Sequence, residues 1–455
     1  MTYFIHILIG LTLCATLTGC TTYAQFTGDF RTHLSGQNYD GALAQLNNAQ
    51  KGGNRLLYLL ENGLIAHHQG RYEVSNRYFA DAERLADQLY TKSVSREAAA
   101  LVTNDAVRKY RGESYELVAV HYYRALNYWR LNMPEDALVE CRKANLKLAQ
   151  YAIHNGEKTY KNDAFIHYMT GLFYEATGEL NDAYISYQHA QDAYAHYAQA
   201  FQFTPPATLQ QDIDRVSAIL NGEAPDHRLA AFGPGTYMEA NSGGELVVFS
   251  EIGFVPRKIQ EEIDLPLYDN DIKRGKNMDI TVVSNDIAHR YHRDYHHSGN
   301  IEYWLRVALP KYETTTPRTR TVFIRVDSKQ TQTMPVQNYA DIAKASLEDR
   351  YPNILTRTVA RSFAKYLTYH EAKKKNKVLG FLTNLFNVAT EIADTRSWVS
   401  LPSNIQIGRL ALEPGLHTIT LEAVDGNGNL VETKTFDNVE IKSGQRTFLN
   451  HRMYQ

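Results

Sequence analysis

Hydrophobic positions follow a helical spacing in the first half of the chain and a strand-like alternation in the second half. Before residue 222, apolar, small and aromatic side chains recur three and four residues apart, which is typical of amphipathic helices. Beyond residue 244 the period falls to two, and this predicts strands at Glu245 to Phe249, Ile301 to Leu309, Arg318 to Val326, Ile405 to Leu412, His417 to Val424, Val431 to Phe436 and Thr447 to Met453. Helical spacing returns from Tyr339 to His370 and from Val378 to Asp394. The pattern therefore predicts an all-α region followed by an α+β domain with a mainly antiparallel sheet.

The helical positions of the first half also repeat. One unit resembles a tetratricopeptide (TPR) repeat at nearly every signature position: Gly171, Tyr174, Gly178, Leu180, Ala183, Tyr187 and Ala190. Related spacings occur upstream, at Gly63, Ala66, Gly70, Tyr72, Phe79 and Ala82, at Ala125, Tyr128, Ala137, Cys141 and Ala144, and more weakly at Tyr39, Ala42, Leu46 and Ala49. Small residues let two helices approach closely, and the aromatic residues fill the space between them. Residues 20–222 are therefore predicted to form a TPR-like α-solenoid.

Glycine, proline and serine mark the boundary between the two regions. They are concentrated in residues 223–243, which we interpret as a linker. Residues 244–455 are then predicted to form a domain that folds on its own, with inserted helices at about 339–394 and a C-terminal β-meander. The segment Asp425 to Asn429 resembles a calcium loop, but Leu430 and Phe436 stand where that loop needs glycine and glutamate. A hairpin turn is the better interpretation.

The N-terminus carries a targeting pattern. An apolar run from Phe4 to Leu13 is too short to span a membrane, and Leu17-Thr18-Gly19-Cys20 follows it. This sequence resembles the processing site of a bacterial lipoprotein. The resemblance implies that residues 1–19 are a signal peptide and that Cys20 is lipidated. The residue after the cysteine, Thr21, is not acidic, which in that family implies transport to the outer membrane and a position on its periplasmic face.

Composition narrows the classes of protein. The apolar share of 44% and the charged share of 22% over 455 residues indicate a globular chain. A net charge of -2 gives no reason to expect nucleic acid as a partner. Only Cys141 keeps a free thiol once Cys14 is removed and Cys20 is lipidated, so no internal disulfide is expected. Cys141 occupies an aromatic position of its repeat, which favours a buried thiol over a nucleophile.

Catalytic motifs are scarce in the sequence. It contains neither a phosphate-binding Gly-x-x-x-x-Gly-Lys-Ser/Thr loop nor a Gly-x-Ser-x-Gly nucleophile elbow, so we expect no enzyme activity and no cofactor. One histidine-rich segment could bind zinc or copper through His289, His292 and His296. Neighbouring arginines oppose metal binding, and a solvated segment is the alternative.

Two further segments allow two interpretations each. The basic stretch Lys373 to Lys377 precedes an apolar face between Val378 and Ile392, which could lie on anionic lipid or pack into the core. Arg396 and Trp398 could form a surface anchor for a partner or a bracket inside the core.

The whole chain resembles an uncharacterised family of TPR outer-membrane lipoproteins from Gram-negative bacteria. The resemblance rests on Cys20, the repeats, the stretch from Gly244 to Pro256, and Asp394 to Trp398 with Leu401-Pro402. The resemblance implies no known activity, and the family is similar in type to lipoproteins that regulate peptidoglycan synthases.

The leading hypothesis is a non-enzymatic adaptor that binds a cell-envelope protein or peptide in the solenoid groove, with a role in peptidoglycan synthesis or envelope assembly. The candidate groove residues are His121, Arg124, Asn127, His167 and Thr170. A metal-dependent envelope enzyme that uses the second domain and a structural tether between membrane and wall are the alternatives.

Overall fold

The computed structural model describes residues 23–50, 52–93, 108–223, 243–277, 280–293, 300–375 and 392–455. The predicted signal peptide, Cys20 and nearly all of the predicted linker lie outside these ranges. Of the predicted helix from Val378 to Asp394, only the last residues fall within them.

The first half is helical. Its helices are α1 (Tyr23–Ser35), α2 (Tyr39–Leu46), α3 (Arg55–His68), α4 (Tyr72–Ser93), α5 (Ser114–Arg130), α6 (Pro134–Asn155), α7 (Ala164–Thr177), α8 (Leu180–Phe201) and α9 (Ala207–Leu220), with short 3₁₀ turns at Asn47–Ala49 and Gly52–Asn54. Successive helices pack against each other in chain order. A Cβ on Gly171 would lie 2.3 Å from the ring of Tyr187, and one on Gly63 would lie 2.6 Å from Phe79. These glycines therefore set how closely α7 and α8, and α3 and α4, approach each other.

The second half contains ten strands and three helices within the described ranges: β1 (Gly244–Ile252), β2 (Lys258–Tyr268), α10 (Asp269–Asn277), α11 (Ile280–Arg293), β3 (Ile301–Tyr312), β4 (Thr321–Val326), β5 (Lys329–Gln332), β6 (Met334–Asn338), α12 (Tyr339–Lys375), β7 (Asn404–Leu412), β8 (Gly415–Val424), β9 (Leu430–Ile441) and β10 (Arg446–Met453). The first sheet has the strand order β10-β1-β7-β6, and the second has the order β5-β4-β8-β9. All pairings in both sheets are antiparallel except β1 with β10, which is parallel. Strands β2 and β3 form a separate antiparallel ribbon.

The first sheet lies between the helices and the second sheet. Every residue of β1 is buried, because its two faces pack in opposite directions. Leu246 and Val248 face the second sheet and join Ile324 and Leu421 in one apolar cluster. Val247 and Phe249 belong instead to the cluster formed by the helices. One hydrophobic core therefore continues across the predicted boundary at residues 223–243.

The ribbon of β2 and β3 has its own small core. It packs against α10, α11 and α12 through Leu265, Val283, Leu305 and Phe363, among others. This part of the chain extends from the sandwich formed by the two sheets.

The coarse architecture predicted from the sequence is confirmed: a helical region is followed by a region with mainly antiparallel sheets. Several details of the prediction were wrong. The sequence pattern missed β2, β5 and β6 as well as α10 and α11, and β4 begins at Thr321 rather than Arg318. Pro352 lies inside α12, which is continuous from Tyr339 to Lys375.

Candidate functional site

The inner face of the helical array is where the sequence predicts a binding groove, and in the structure the first sheet covers it. Phe165 of α7 packs edge-on against Phe249 of β1 with 5.6 Å between ring centroids. Phe448 of β10 lies 5.0 Å from Phe173 and 4.9 Å from Trp129. The Tyr194 hydroxyl donates to the backbone carbonyl of Val336 at 2.7 Å. The groove is thus filled by the chain's own second half.

Buried carboxylates of the helices bind the segment 394–403. Glu61 of α3 accepts hydrogen bonds from the Val399 amide at 3.1 Å and from the Ser400 hydroxyl. Glu116 of α5 accepts from the Trp398 amide at 2.7 Å. Burial raises the pKa of Glu61 to about 8 and that of Glu116 to about 7. These two groups join the helices to the segment 394–403 through hydrogen bonds from its backbone amides and the Ser400 hydroxyl, and the nearby cations Arg31 and Lys258 offset the effect of burial only in part.

Charged residues form a second buried contact. Arg446 of β10 lies 2.8 Å from Glu175 of α7 and 2.5 Å from Glu245 of β1. Arg215 of α9 also contacts Glu175. Burial alone would raise the pKa of Glu175, but the two guanidinium groups outweigh it and hold that pKa below its usual range.

Arg409 of β7 extends this contact. It lies 2.6 Å from Asp212 of α9 and 2.6 Å from Glu245. The network formed by Glu175, Asp212, Arg215, Glu245, Arg409 and Arg446 has three acids and three bases, so its formal charges balance.

The predicted groove residues are mostly buried, which corrects the expectation that they face a partner. His121, Arg124, Asn127 and Thr170 are each less than a tenth exposed. The Asn127 side-chain amide oxygen accepts a hydrogen bond from His67 Nδ1 at 2.6 Å, and the Thr170 hydroxyl donates to the Ile166 carbonyl at 2.6 Å. His167 is half-buried and lies 5.3 Å from His189, ring to ring. His121, Arg124, Asn127 and His167 each contact a neighbouring helix of the array, whereas the Thr170 hydroxyl bonds within its own helix.

His121 and Arg124 belong to a charge cluster between α4, α5 and α6. Glu83, His121 and Glu140 each offer a ligand atom within 4.8 Å of the others, a spacing that a metal ion could use. However, Arg124 lies 2.7 Å from Glu83 and 3.0 Å from Glu140, and Lys143 lies 3.2 Å from Glu140. Because these cations already neutralise both carboxylates, the cluster does not fit a divalent metal ion.

The other residues that the sequence singled out are either buried in the core or outside the described residues. Cys141 is buried, and burial raises the pKa of its thiol to about 12, which removes it as a nucleophile. Trp398 is fully buried between Phe79 and Tyr123. Arg396 pairs with Asp394 at 2.7 Å, so this motif forms a bracket in the core rather than a surface anchor.

The hairpin interpretation of Asp425 to Asn429 is confirmed. The Asp425 carboxylate accepts from the backbone amides of Asn427 and Asn429, each at 2.9 Å, as in a tight turn. His289 lies exposed on α11, but the side chains of His292 and His296 are outside the described residues. The side chains from Lys373 to Lys377 and those of the apolar face that follows also lie outside the described residues, except for Ile392 at its end, which is 46% exposed.

An exposed aliphatic stripe on α6 was missed by the sequence analysis. Val139, Leu146 and Ile153 are 36%, 62% and 83% exposed, although all three are large apolar residues. They stand seven residues apart, which places them on one side of the helix. The opposite side, with Ala137, Cys141, Ala144 and Leu148, is buried in the array. We call Val139, Leu146 and Ile153 the α6 stripe. The spacing of these three residues can be seen in the sequence. However, a helix with apolar residues on two sides is normally predicted to be fully buried, so the sequence does not indicate their exposure.

No protein-family model matches this chain, and no curated protein matches it either. Within the described ranges, no helix is long and apolar enough to cross a bilayer.

Proposed function

We propose that this protein is a non-catalytic scaffold of the bacterial cell envelope, anchored by a lipid at Cys20 on the periplasmic face of the outer membrane. In this proposal the helical half is a TPR solenoid whose inner groove is closed by the second half of the same chain. Partner proteins then bind on the outer face of the array. This differs from the sequence-based hypothesis in the surface that is used.

The solenoid assignment is supported by the packing at repeat positions. Gly171 and Gly63, which occupy equivalent positions of two repeats, both face an aromatic ring of the following helix at a distance that leaves no room for a side chain. Ala125, Ala137 and Ala144 of another repeat are fully buried. These contacts are the ones for which the repeat signature selects small residues.

We choose the outer surface as the binding surface on one observation: side chains on the inner side of the helical array are buried, whereas apolar side chains on its outer side are exposed. Inner-face residues such as Tyr122, Tyr123 and Phe165 are fully buried against the sheet. On the outer side, the α6 stripe leaves three large aliphatic side chains in water. Exposed apolar residues in a row favour a protein-binding surface.

A non-catalytic role is supported by the position of the titratable groups. The acids with raised pKa, Glu61 and Glu116, are 2% and 0% exposed and are occupied by backbone amides. A catalytic acid needs contact with its substrate, and these groups lie inside the contact between the two halves.

Site-specific photo-crosslinking in living cells tests the proposed surface. A photoreactive amino acid at Leu146 should yield abundant adducts that contain a second protein chain. The matched control is Leu416, an equally exposed leucine on β8, which is 67% exposed against 62% for Leu146. Adducts at Leu416 without adducts at Leu146 would refute binding through the outer face of α6.

The lipid anchor is tested separately. Cys20→Ser should leave the chain unlipidated, because the acceptor thiol is gone, and should remove it from the outer-membrane fraction. Unchanged mass and unchanged fractionation of that variant would refute the lipoprotein part of the proposal.

A further inference from the structure

Helix α1 is fixed to the body of the protein. Phe30 and Leu34 are buried in an apolar cluster that includes Val399. The Arg31 guanidinium donates to the backbone carbonyl of Val399 at 3.0 Å and to that of Val255 at 2.5 Å. Val255 lies just beyond the C-terminal end of β1, so α1 is attached at that end of the first sheet.

Only two residues separate the predicted lipidation site from this fixed helix. Cys20 is followed by Thr21 and Thr22, and α1 begins at Tyr23. An extended chain spans at most about 3.6 Å per residue, so the Cα atoms of Cys20 and Tyr23 are no more than about 11 Å apart. A lipid on Cys20 would therefore hold the start of α1 close to the membrane.

Arg257 marks the surface next to this part of α1. A Cβ on Gly28 would lie 4.0 Å from the Arg257 guanidinium. Gly28 follows Tyr23 by about 7.5 Å along the helix. With the reach from Cys20 to Tyr23, these distances put Cys20 within roughly 25 Å of that guanidinium. A compact chain of this length is roughly 60 Å across, so a lipid on Cys20 lies on the side of the molecule that carries Arg257.

Two exposed aliphatic residues lie on the same side. Ile259, which closely follows Arg257, is 38% exposed, and Ile392 is 46% exposed. The two are near each other, because the amide of Ala393 donates to the side-chain oxygen of Gln260 at 3.0 Å. Apolar side chains beside a lipid anchor suit the boundary between lipid headgroups and acyl chains.

The charged groups around these residues are balanced. Lys311, the register partner of Ile259, pairs with Glu261 at 2.7 Å. Arg257 pairs with Glu313, also at 2.7 Å. Because each cation has its own acid, the surface neither repels an anionic membrane nor is strongly attracted to it. The short chain before α1, rather than charge, must then hold this surface at the membrane.

We infer that the surface formed by Arg257, Ile259 and Ile392 lies on the headgroups of the membrane that holds the lipid, which gives the protein one fixed orientation there. This inference rests on the proposed function, because it depends on a lipid at Cys20. In this orientation the Val255 end of β1 faces the membrane, and its other end faces away.

Leu416 of β8 marks the end of β1 that faces away. The adjacent Gly415 pairs with Ile441, and a Cβ on Gly244 would lie 2.7 Å from the Ile441 side chain. Leu416 is therefore at the Gly244 end of β1, which spans about 27 Å from there towards Val255. It is 67% exposed and serves as the matched control.

Fluorescence quenching by lipids tests this orientation with the full lipidated chain. The chain is reconstituted in vesicles of phosphatidylethanolamine and phosphatidylglycerol that carry a nitroxide on the headgroup. Ile259→Cys, Ile392→Cys and Leu416→Cys each receive a fluorescent dye, and the wild-type chain controls for labelling of Cys141, which is buried. We expect quenching of the dye to be several-fold stronger at Ile259→Cys and Ile392→Cys than at Leu416→Cys.

A longer tether provides a second measurement. Inserting about twenty glycine and serine residues between Thr22 and Tyr23 adds a flexible chain with an end-to-end distance of about 25 Å. Quenching at Ile259→Cys should then fall to the level of Leu416→Cys, and unchanged quenching would overturn the role of the short tether.

The opposing outcomes separate this inference from the anchor itself. Equal quenching at Ile259→Cys and Leu416→Cys without the insertion, in a chain whose mass shows the lipid, would overturn the fixed orientation and leave the anchor in place. A purified chain whose mass shows no lipid would overturn the anchor and, with it, the membrane-facing surface.

Discussion

The inner face of the helical array is covered by the sheet, whereas the outer face of α6 keeps aliphatic side chains in contact with solvent. On the inner face, the ring of Phe165 packs against Phe249 of the second half, and the buried carboxylate of Glu175 pairs with Arg446 of the second half. On the outer face, Leu146 and Ile153 have no such covering. The comparison shows that one face of a helical array can be covered by a later part of the same chain while another face keeps apolar side chains exposed.

The two faces also differ in what their side chains contribute to the stability of the fold. The buried acids and bases of the inner face form one specific arrangement, since each charge taken from water must meet an opposite charge. The outer stripe makes no contribution of that kind to the fold. Changes on the inner face should therefore reduce stability, and changes on the outer face should affect association alone.

The largest effect is expected when the helices are removed altogether. A fragment of residues 243–455 would expose Phe249, Ile405, Ile407 and Phe448, which are buried against the helices in the full chain. We expect it to be aggregated or without a cooperative thermal transition, contrary to the independent folding that the composition shift predicts. Co-expression with residues 21–223 should restore a soluble complex. A cooperative thermal transition of the isolated fragment, measured by circular dichroism, would show that the second half folds without the core that it shares with the helices.

The location of the shared core explains why the sequence predicted the elements better than their assembly. Period-two alternation marks a strand with one buried face, and it identified β7, β8 and β10. The sequence pattern also found β1, but could not indicate that its charged residues Glu245 and Glu251 are buried. Their partners, Arg446 for Glu245 and Tyr122 and Tyr123 for Glu251, lie more than a hundred residues away along the chain. Local patterns carry no information about such distant pairs.

The candidate site was predicted less well than the fold, and for a related reason. Repeat spacing placed His121 and Asn127 on first helices of the repeats, where a groove is usual, but burial depends on what packs over that groove. Val139 and Ile153 were overlooked because an apolar residue in a helix is normally a core residue. Exposure is a property of the assembled molecule, and it separates these two sets.

A smaller effect is expected when one charge of the inner face is removed. Glu175→Gln leaves Arg215 and Arg446 with one anion fewer in a buried site, and this should lower the free energy of unfolding by about 3 to 5 kcal/mol. The matched control is Glu261→Gln, whose partner Lys311 is exposed, and there the loss should be about 0 to 1 kcal/mol. Urea denaturation of both variants measures the difference. Equal losses would contradict the role given to the buried network.

The titration of Glu61 should make the free energy of unfolding depend on pH. The change should be at most about 1.4 kcal/mol per pH unit. Its pKa is raised from 4.5 to about 8 on folding, so its contribution is fully present below pH 4.5 and is lost as the pH rises through 8. Glu61→Gln should remove that loss, because glutamine does not titrate. The free energy of unfolding of wild type minus that of Glu61→Gln should therefore fall as the pH rises from 5 to 8.

His67 provides the opposite slope as a control. Burial lowers its pKa from 6.5 to about 4, so its contribution is present above pH 6.5 and is lost as the pH falls towards 4. The stability of wild type relative to His67→Gln should therefore rise with pH over that interval. If the Glu61 and His67 difference profiles had the same sign, the assignment of these two groups to the buried contact would be wrong.

The smallest effect on stability is expected at the centre of the outer face. Leu146→Glu places a charge on a side chain that is 62% exposed, and a surface change of this kind should alter the free energy of unfolding by no more than about 0.5 kcal/mol. Binding of a partner protein should respond differently, because the new charge would have to lose its water in an apolar contact. We therefore expect unchanged urea denaturation together with loss of the adducts that a photoreactive amino acid at Ile153 forms with a second protein chain. Leu146→Met, which keeps an apolar side chain of similar volume, should retain both properties. A Leu146→Glu chain that unfolded much more easily than wild type would place the α6 stripe in the core, and the contrast between the two faces would disappear.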